Sequence, residues 1–418
     1  MMNEGIRPVT LEELDEVVRI AAMAYPGSNF LAPESRQRFA ERVKDTLQND
    51  PYVSFHGCFR DEKLVGIMRW HDYYMNVHGT KLLTGGIGLV AVDLLHKKEK
   101  VAKEMLLHFL NTYRDRGISL VSLYPFRVDF YKQMGFGTST KMNQYSIKPS
   151  SLRFTGKEQI DYLGMEDKEE ILACYHRIVR QTHGMITKTD REMTAFLGQP
   201  EQIVVGCRNN GRINGYLAFS FQNVHVNNRM HNNLIVKEFH YETREALAQL
   251  TSFLNSQGDQ VHRIILTIQD DDFHFLLSDP SNGTANLLPS VYHESSVAGV
   301  GLMHRIIDVP LFFKQLSQHR FGRENALVRM TIRDTFLPEQ DGSWLIRFTE
   351  GLPQVVDEGQ AEVEVSMDIS EFSSLMMGAV SFQKLYMYGL AEIDHEDSLT
   401  MLESLFQVRQ KPRCTTAF

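Results

Sequence analysis

The spacing of apolar residues predicts a helix and then a run of strands in the first third of the chain. Behind a capping box that starts at Thr10, apolar side chains recur at helical spacing, which indicates an amphipathic helix. The pattern then predicts, in order, a hairpin, a long strand pair, a second amphipathic helix and a short strand, at 53–68, 70–92, 102–113 and 118–123. Residues 1–150 are therefore expected to form one α+β domain.

The middle of the chain repeats this order. Its pattern predicts a hairpin, a strand, a helix and a strand, at 203–217, 231–240, 242–254 and 263–268. The chemistry of the repeat differs, because Phe239-His-Tyr-Glu-Thr stands where the first copy has basic residues after its central strand. Likewise, Phe273-His-Phe-Leu stands where the first copy has Phe130-Tyr131. We interpret residues 151–296 as a second, degenerate copy of the first domain.

The last part of the chain, residues 297–418, has a different pattern. Apolar and polar residues alternate strictly in three segments, at 328–332, 344–348 and 363–367. Such alternation is typical of half-buried strands in a sheet with one solvated face. Two amphipathic helices, one beginning at Asp368 and one carrying Leu399, are expected to cover the other face. A third α+β domain is the result.

Composition and charge restrict the class of protein. With 43% hydrophobic and 23% charged residues in 418, the chain reads as a folded protein of two or three domains. A formal net charge of −8 and the lack of a basic tract argue against nucleic-acid binding and weakly favour a small cationic partner. The N-terminal residues show no apolar leader, no run is long enough for a membrane span, and the four cysteines are scattered. We expect a cytoplasmic protein without membrane partners.

The most informative segment is Phe130-Tyr-Lys-Gln-Met-Gly-Phe-Gly137, which follows the short apolar strand and the breaker Pro125. A strand, a short helix carrying Phe-Tyr, then Gly-Phe and another strand resembles the corresponding part of the GNAT acetyltransferases. That resemblance implies a mixed sheet flanked by helices and acetyl-CoA as the cosubstrate. It also implies that Tyr131 lies beside the sulfur of acetyl-CoA and protonates the departing thiolate. The alternative is a half-buried helix tyrosine with a packing role alone.

The same resemblance assigns the coenzyme site to the segment from Val90 to Lys103. GNAT proteins bind the pyrophosphate with backbone amides at a helix N-terminus. Here Lys100 occupies a position where glycine is usual, although its charge and those of neighbouring lysines could compensate. The alternative is a solvated, lysine-rich helical turn. The cofactor-binding residues implied by the resemblance are Val90, Ala91, Val92, Lys98, Glu99, Lys100, Val101, Ala102, Lys103, Phe126 and Arg127.

The whole chain is similar to a more specific family, the enhanced-intracellular-survival (Eis-type) acetyltransferases. The similarity rests on Val-Ala-Val-x-x-x-His-Lys-Lys before the phosphate loop, the Phe130–Gly137 motif, Gly378-Ala-Val-Ser-Phe-Gln-Lys-Leu385 and a final phenylalanine. It implies tandem GNAT domains, the second non-catalytic, and a C-terminal domain like sterol carrier protein. It further implies acetylation of amines, notably those of aminoglycosides, and assembly into homohexamers.

Phe418 acquires a role from this resemblance. In the family, the carboxylate of the last residue reaches the first domain's active site and acts as the general base. A terminal carboxyl has an ordinary pKa of about 3.3–3.7, which makes it a weak base for an ammonium group. The site could raise that pKa, a water could relay the proton, or the carboxylate could anchor a cationic substrate. A frayed tail without a role is the other interpretation.

The leading hypothesis from the sequence is an N-acetyltransferase that acts by direct attack on aminoglycoside-like or polyamine substrates. The alternatives are a lysine or small-amine acetyltransferase, and a non-catalytic protein that binds coenzyme A or an apolar ligand. No metal site is expected, because the acidic run at Asp270 is better explained as a helix start. Aromatic residues of strand 70–74 and of the loop Tyr25–Phe30 are candidate walls of a substrate cleft.

Overall fold

The computed structural model describes residues 5–225, 227–284, 286–288, 291–416 and 418. The strands, numbered along the chain, are β1 (Gly5–Pro8), β2 (Val53–Arg60), β3 (Lys63–Val77), β4 (Thr80–Val92), β5 (Leu120–Leu123), β6 (Gly137–Thr138), β7 (Lys141–Ile147), β8 (Ile160–Leu163), β9 (Ile203–Asn209), β10 (Arg212–Asn223), β11 (Asn232–Tyr241), β12 (Val261–Ile268), β13 (Leu287–Leu288), β14 (Tyr292–His293), β15 (Ser296–Val300), β16 (Met303–Ile306), β17 (Ala326–Arg333), β18 (Gly342–Thr349), β19 (Leu352–Val356), β20 (Val363–Asp368) and β21 (Ala391–Ile393). The helices are α1 (Leu14–Ala24), α2 (Pro33–Asn49), α3 (Val101–Asp115), α4 (Val128–Lys132), α5 (Lys168–Gln181), α6 (Asp190–Leu197), α7 (Arg244–Asn255), α8 (Val309–Gln315), α9 (Ile369–Met376), α10 (Phe382–Met387) and α11 (Leu399–Phe406).

The first sheet has the strand order β1-β2-β3-β4-β5-β16-β6. Neighbours from β1 to β4 are antiparallel, whereas β5 runs parallel to β4 because α3 connects them. One hydrophobic cluster contains Phe109 of α3, and another contains Val17 of α1 together with Phe39 of α2. The predicted capping box is present, since the Thr10 N–H donates to the Glu13 carboxylate over 2.6 Å.

Helix α2 was not predicted from the pattern of apolar positions. Of its 17 residues only Phe39 and Val43 are buried, so its apolar stripe is too thin to produce a clear periodicity. Phe39 stacks on Phe30 of the preceding loop, with 4.4 Å between ring centroids. Tertiary packing of two side chains therefore fixes a helix that is otherwise polar.

Strand β16 completes the first sheet although it follows the second copy in sequence. It lies between β5 and β6 and is antiparallel to both. The structural unit that contains the first domain therefore also contains most of the residues after 301. It comprises Met1–Ser139, Leu302–Lys411 and Ala417–Phe418. The strand pairing therefore does not follow the continuous ranges 1–150 and 297–418, because pairing across such sequence distances leaves no local signal.

The second unit comprises Thr140–Gly301 and Pro412–Thr416. Its sheet has the order β8-β9-β10-β11-β12-β7-β15, which repeats the order of the first sheet element by element. Here the inserted strand is β7, which comes from the segment directly after the first copy and is antiparallel to β12. The two copies have thus exchanged one strand each, and the predicted repeat of the fold is confirmed.

The third sheet has the order β19-β18-β17-β20-β21 and belongs to the first unit. Its core includes the fully buried Phe313, Phe348 and Phe372. Helix α9 also packs against β6 and β16, and the Ser374 hydroxyl donates to the Thr138 carbonyl over 2.9 Å. This domain therefore borders the strand that follows the Phe130–Gly137 motif.

Within the described residues, no helix has the length and apolar character needed to cross a lipid bilayer. Cys58, Cys174, Cys207 and Cys414 are all buried and unbridged. The expectation about an N-terminal leader concerns residues that include 1–4, which lie outside the described part of the chain.

Candidate active site

A cleft of about 450 Å³ opens where β4 and β5 separate. These parallel strands pair only at Gly85 with Val121 and at Gly86 with Ser122, so the rest of β4 diverges from β5. The cleft is lined by Ala24, Tyr25, Val90, Ala91, Val92, His96, Lys97, Lys98, Lys100, Val101, Ala102, Lys103, Phe126, Arg127 and Phe130. All the residues predicted to bind the coenzyme are among them except Glu99, whose carboxylate lies 2.9 Å from the His96 Nδ1.

A β-bulge shapes the wall that β4 contributes. The register between β3 and β4 shifts between Ile67 and Arg69, and Leu89 adopts a positive φ of 48°. Past the bulge, the Tyr25 hydroxyl donates to the Val90 carbonyl over 2.9 Å. Tyr25 therefore already uses one lone pair of the carbonyl of Val90, a residue predicted to bind the coenzyme, and holds this strand end in place.

The loop before α3 contains two lysines in a backbone conformation that glycine normally adopts. Lys98 and Lys100 have φ values of 70° and 64°, in the left-handed region where glycine is normally favoured. Lys100 is the residue directly before α3, whose first amides therefore point out of the helix end. Free N–H groups and lysine side chains at one helix N-terminus form a site that favours phosphate.

We expect Lys100→Gly to stabilise this loop, because glycine adopts a positive φ without the steric cost paid by lysine. The matched control is Lys100→Ala, which removes the same charge and keeps the strain. The glycine variant should be more stable than the alanine variant by roughly 1 kcal/mol in denaturant unfolding. If both variants weaken coenzyme A binding equally in calorimetry, the lysine charge contributes to binding; if neither does, the lysine has no role in it.

Tyr131, on the short helix α4, packs against two residues that line this cleft. Its side chain is 3% exposed, and its ring packs edge-on against Phe126 and Phe130, with centroid distances of 5.5 and 5.2 Å. Burial raises the pKa of the Tyr131 phenol, and the neighbouring Tyr25 raises it further. The phenol is therefore protonated at neutral pH and can act as a hydrogen-bond donor.

A buried ion pair holds the end of the Tyr131 segment. Arg305 of β16 donates from one guanidinium nitrogen to the Met134 carbonyl and from the other to the Asp334 carboxylate, the latter over 2.6 Å. Both charged side chains are fully buried. Gly135 has a φ of +79°, and a side chain there would overlap the guanidinium. Sequence reasoning missed Arg305, although a lone arginine in the apolar run 302–307 was a usable signal.

Phe418 lies on the first sheet, where glycines leave room for it. Its ring packs against His71 and Tyr73 of β3, each with 5.2 Å between centroids, and against Tyr124 at 5.4 Å. A methyl group on Gly86 would come within 2.9 Å of the Phe418 ring. The interpretation of this residue as a frayed end does not agree with these contacts.

The main-chain oxygen of Phe418 lies near a cation that the sequence analysis did not single out. If Gly88 carried a side chain, its Cβ would lie 3.4 Å from this oxygen and 3.6 Å from the Arg69 Nη2. The Arg69 Nε donates to the His71 Nε2 over 2.8 Å. Burial, and then the charge of Arg69, hold the pKa of His71 well below its usual value, so His71 is a neutral acceptor.

The long strand β3 therefore has two distinct faces, as its alternation suggested. Arg69, His71 and Tyr73 lie on the face that contacts Phe418. Trp70 is buried in the core on the other face, stacked on His56 with 3.5 Å between centroids. Of the aromatic residues on this strand that are candidate cleft walls, His71 and Tyr73 lie on the face that contacts Phe418, and Trp70 lies in the core.

A second concavity, of about 560 Å³, lies beside the loop that joins α1 and α2. It is lined by Ser28, Phe30, Ser35, Arg38, Glu41, Arg42 and Asp45. Two carboxylates and two guanidinium groups give it mixed rather than uniformly acidic character. Arg42 is close enough to Arg69 to lower the pKa of Arg69, after the larger effect of burial.

Comparisons with known proteins agree with this geometry. Residues 5–139 and 178–300 each match a family model described as acetyltransferase (GNAT) domain, and residues 309–415 match one described as sterol carrier protein domain. A search of curated proteins gave no significant match.

Solved structures match the chain over its full length. A conserved protein of unknown function from Enterococcus faecalis V583 aligns over 100% of both chains, with a TM-score of 0.81 and 19% identity. A GCN5-related N-acetyltransferase from Kribbella flavida covers 99% of this chain and 98% of its own, with a TM-score of 0.78 and 18% identity. Eis1 from Mycobacterium abscessus covers 99% of this chain and 100% of its own, with the same score and identity.

Two GNAT domains and a sterol carrier protein domain make this chain an acetyltransferase of the GNAT superfamily. The alignment with Eis1 over the full length shows that the two proteins share this three-domain fold. The predicted fold class is thus confirmed, and so are the two predicted GNAT domains and the sterol carrier protein domain.

Proposed function

We propose that this protein transfers the acetyl group of acetyl-CoA to an amine by direct attack of the amine on the thioester. The observation that carries the proposal is one continuous cleft in the first domain. It runs from the lysine-lined N-terminus of α3, along the diverging end of β4, to Phe126 and Phe130, against which the buried ring of Tyr131 packs. Anion-binding amides, a free strand edge and a proton donor are the three groups that acetyl transfer from a phosphorylated thioester requires.

The chain's own residues divide the work. Lys98, Lys100 and Lys103, with the first amides of α3, bind phosphate groups, while Val90–Val92 align the pantetheine arm. Before the transfer, the acceptor's ammonium group loses a proton to water. The amine nitrogen then forms a bond to the acetyl carbon, the carbon–sulfur bond breaks, and a second proton leaves the nitrogen to water. Main-chain N–H groups of β4, which diverges from β5, stabilise the oxyanion that exists after the carbon–nitrogen bond has formed and before the carbon–sulfur bond has broken.

Tyr131 acts on the leaving thiolate. A thiol has an ordinary pKa of about 8.5 and a tyrosine one of about 10, so complete proton transfer from tyrosine to thiolate is uphill. Burial raises the pKa of Tyr131 further. Tyr131 therefore first stabilises the departing thiolate as a hydrogen-bond donor. Transfer of its proton to the sulfur is completed because the resulting tyrosinate regains a proton from water.

The acceptor is bound by the carboxylate that Phe418 carries in this chain of 418 residues. The main-chain oxygen of Phe418 faces Gly88 on β4, the strand that carries the proposed coenzyme contacts, which supports a role as an anchor for the acceptor's ammonium group. Glu41 and Asp45 offer further carboxylates in the neighbouring concavity. These groups, with the family resemblance, support aminoglycoside-like or polyamine acceptors.

One observation favours a second acceptor class. Arg38 and Arg42 also line the concavity, and cations there disfavour an acceptor that carries several ammonium groups. Lysine or another small amine with a single reacting ammonium group fits this mixed lining. A cytoplasmic location and a homohexamer complete the proposal on the strength of the resemblance, and sedimentation velocity tests the hexamer.

The test measures thiol release from acetyl-CoA with a panel of aminoglycosides, polyamines and small amines. Native chain is compared with a chain lacking Phe418, and the control is Phe418→Ala, which keeps a carboxylate on residue 418. Rapid release by the native chain, loss in the deletion and partial retention in Phe418→Ala support both the transferase and the carboxylate. Equal rates in all three remove Phe418 from the mechanism. No coenzyme A binding and no release would replace the transferase by a protein that binds another ligand.

A further inference from the structure

The residues just before Phe418 form part of the second unit. The Gln269 side chain, directly after β12, accepts the N–H of Cys414 and donates to its carbonyl, each over 2.5 Å. Arg413 donates its backbone N–H to the His183 carbonyl over 2.9 Å, and its guanidinium lies 3.2 Å from the Asp270 carboxylate. Cys414 is fully buried and Thr416 is 5% exposed. Hydrogen bonds and an ion pair thus attach the segment Pro412–Thr416 to the second copy.

This segment occupies the divergence between β11 and β12. These strands pair in parallel only as far as Ile235 with Ile265, as β4 and β5 do in the first copy. The Arg413 charge lowers the pKa of Tyr241 at the end of β11, against the larger effect of burial, while Cys414 bonds to Gln269 beyond β12. In the first copy the corresponding divergence forms the proposed coenzyme cleft, whereas in the second it contains the chain's own residues.

The second copy is built to receive this segment. Gly184 has a φ of +87°, and a side chain on it would lie 2.9 Å from the Arg413 carbonyl. The Tyr175 hydroxyl bonds to Thr416 and donates to the Ile186 carbonyl. Beneath it, the buried Glu238 accepts from the Tyr216 hydroxyl over 2.6 Å and pairs with Lys188. Buried polar groups satisfied in this way give a rigid surface.

We propose that the groove between β11 and β12 of the second copy is a dock for the chain's own segment Pro412–Thr416, and not a second coenzyme site. By fixing Thr416, two residues before Phe418, the dock restricts where Phe418 can go. Gln269 and Tyr175 are thereby positioning residues for the Phe418 carboxylate. This consequence rests on the proposed function, whereas the dock itself does not.

The experiment uses the full-length chain and the thiol of Cys414 as a probe. Under native conditions, a maleimide should label Cys414 slowly in the native chain, with sites identified by mass spectrometry. In Gln269→Ala the rate should rise about tenfold, the factor expected from the loss of two hydrogen bonds. Tyr175→Phe removes only a hydroxyl and keeps the packed ring, so it covers the case in which Gln269→Ala misfolds. Gln222→Ala, on an exposed part of β10, is the matched control.

Activity gives the second readout. In Gln269→Ala, kcat should fall while the KM for acetyl-CoA stays unchanged, and the same substitution should have no further effect in a chain lacking Phe418. Calorimetry should give one coenzyme A per chain. Unchanged labelling of Cys414, an undiminished kcat despite faster labelling, or two coenzymes per chain would each overturn the proposal. Labelling needs no acceptor, so it tests the dock even if the transferase assignment fails.

Discussion

Tyr131→Phe is expected to lower kcat by roughly a hundredfold or more, the contribution typical of a positioned proton donor. The hydroxyl is lost while the ring keeps its packing against Phe126 and Phe130. The KM for acetyl-CoA should change little, because the proposed coenzyme contacts lie on the α3 loop and on β4. Steady-state thiol release at saturating acceptor measures both constants.

The control for this substitution is Tyr145→Phe, which also removes a hydroxyl from a buried tyrosine, 3% exposed and in the second copy. It should leave kcat unchanged. Because the pKa of Tyr131 is raised by burial, the native enzyme should show no loss of activity from its ionisation below about pH 10. A Tyr131→Phe enzyme with native kcat would make this residue structural and leave the thiolate to be protonated by water.

Local sequence patterns predicted much of the fold. The periodicity located β2, β3, β4 and α3 in the first copy, and the internal repeat located their counterparts. The strand exchange could not be predicted in this way. Strands β7 and β16 pair with partners more than a hundred residues away, and an antiparallel pairing at that distance leaves no trace in the local alternation.

The candidate site also combines residues that a local pattern predicted with residues whose role depends on distant contacts. Tyr131 and the segment from Val90 to Lys103 follow from a local motif, and the positive φ of Lys100 agrees with the glycine usual at that position. Arg69 and Arg305 were missed because their significance depends on what the fold brings to them. Arg69 matters through Gly88 and Phe418, and Arg305 through Asp334, none of which is near it in sequence.

The sterol carrier protein domain has a mechanical role in this arrangement. Besides Arg305 and Asp334, Glu371 of α9 pairs with Lys132 of α4 over 2.8 Å. Two contacts from residues beyond 302 thus hold the segment that carries Tyr131. This domain therefore contributes to the position of Tyr131, the proposed proton donor.

Arg305→Met should therefore reduce the free energy of unfolding by about 3–5 kcal/mol, the cost of leaving one partner of a buried ion pair unpaired. It removes the partner of Asp334 and the donor to the Met134 carbonyl at once. Trp70 and Trp344, the two tryptophans of the chain, both belong to the first unit. Tryptophan fluorescence during urea unfolding therefore reports on this unit alone.

Asp334→Asn completes a double-mutant cycle with Arg305→Met. The asparagine side-chain oxygen can still accept the N–H groups of Phe336 and Leu337, which Asp334 binds at 3.1 and 2.9 Å. The double variant should be more stable than either single one, because it contains no unpaired buried charge.

Glu364→Gln, which breaks the exposed pair with Arg329, is the control and should cost less than about 1 kcal/mol. Additive losses in the double variant would show that the two charges stabilise the fold independently, and the Tyr131 segment would then need another explanation for its position.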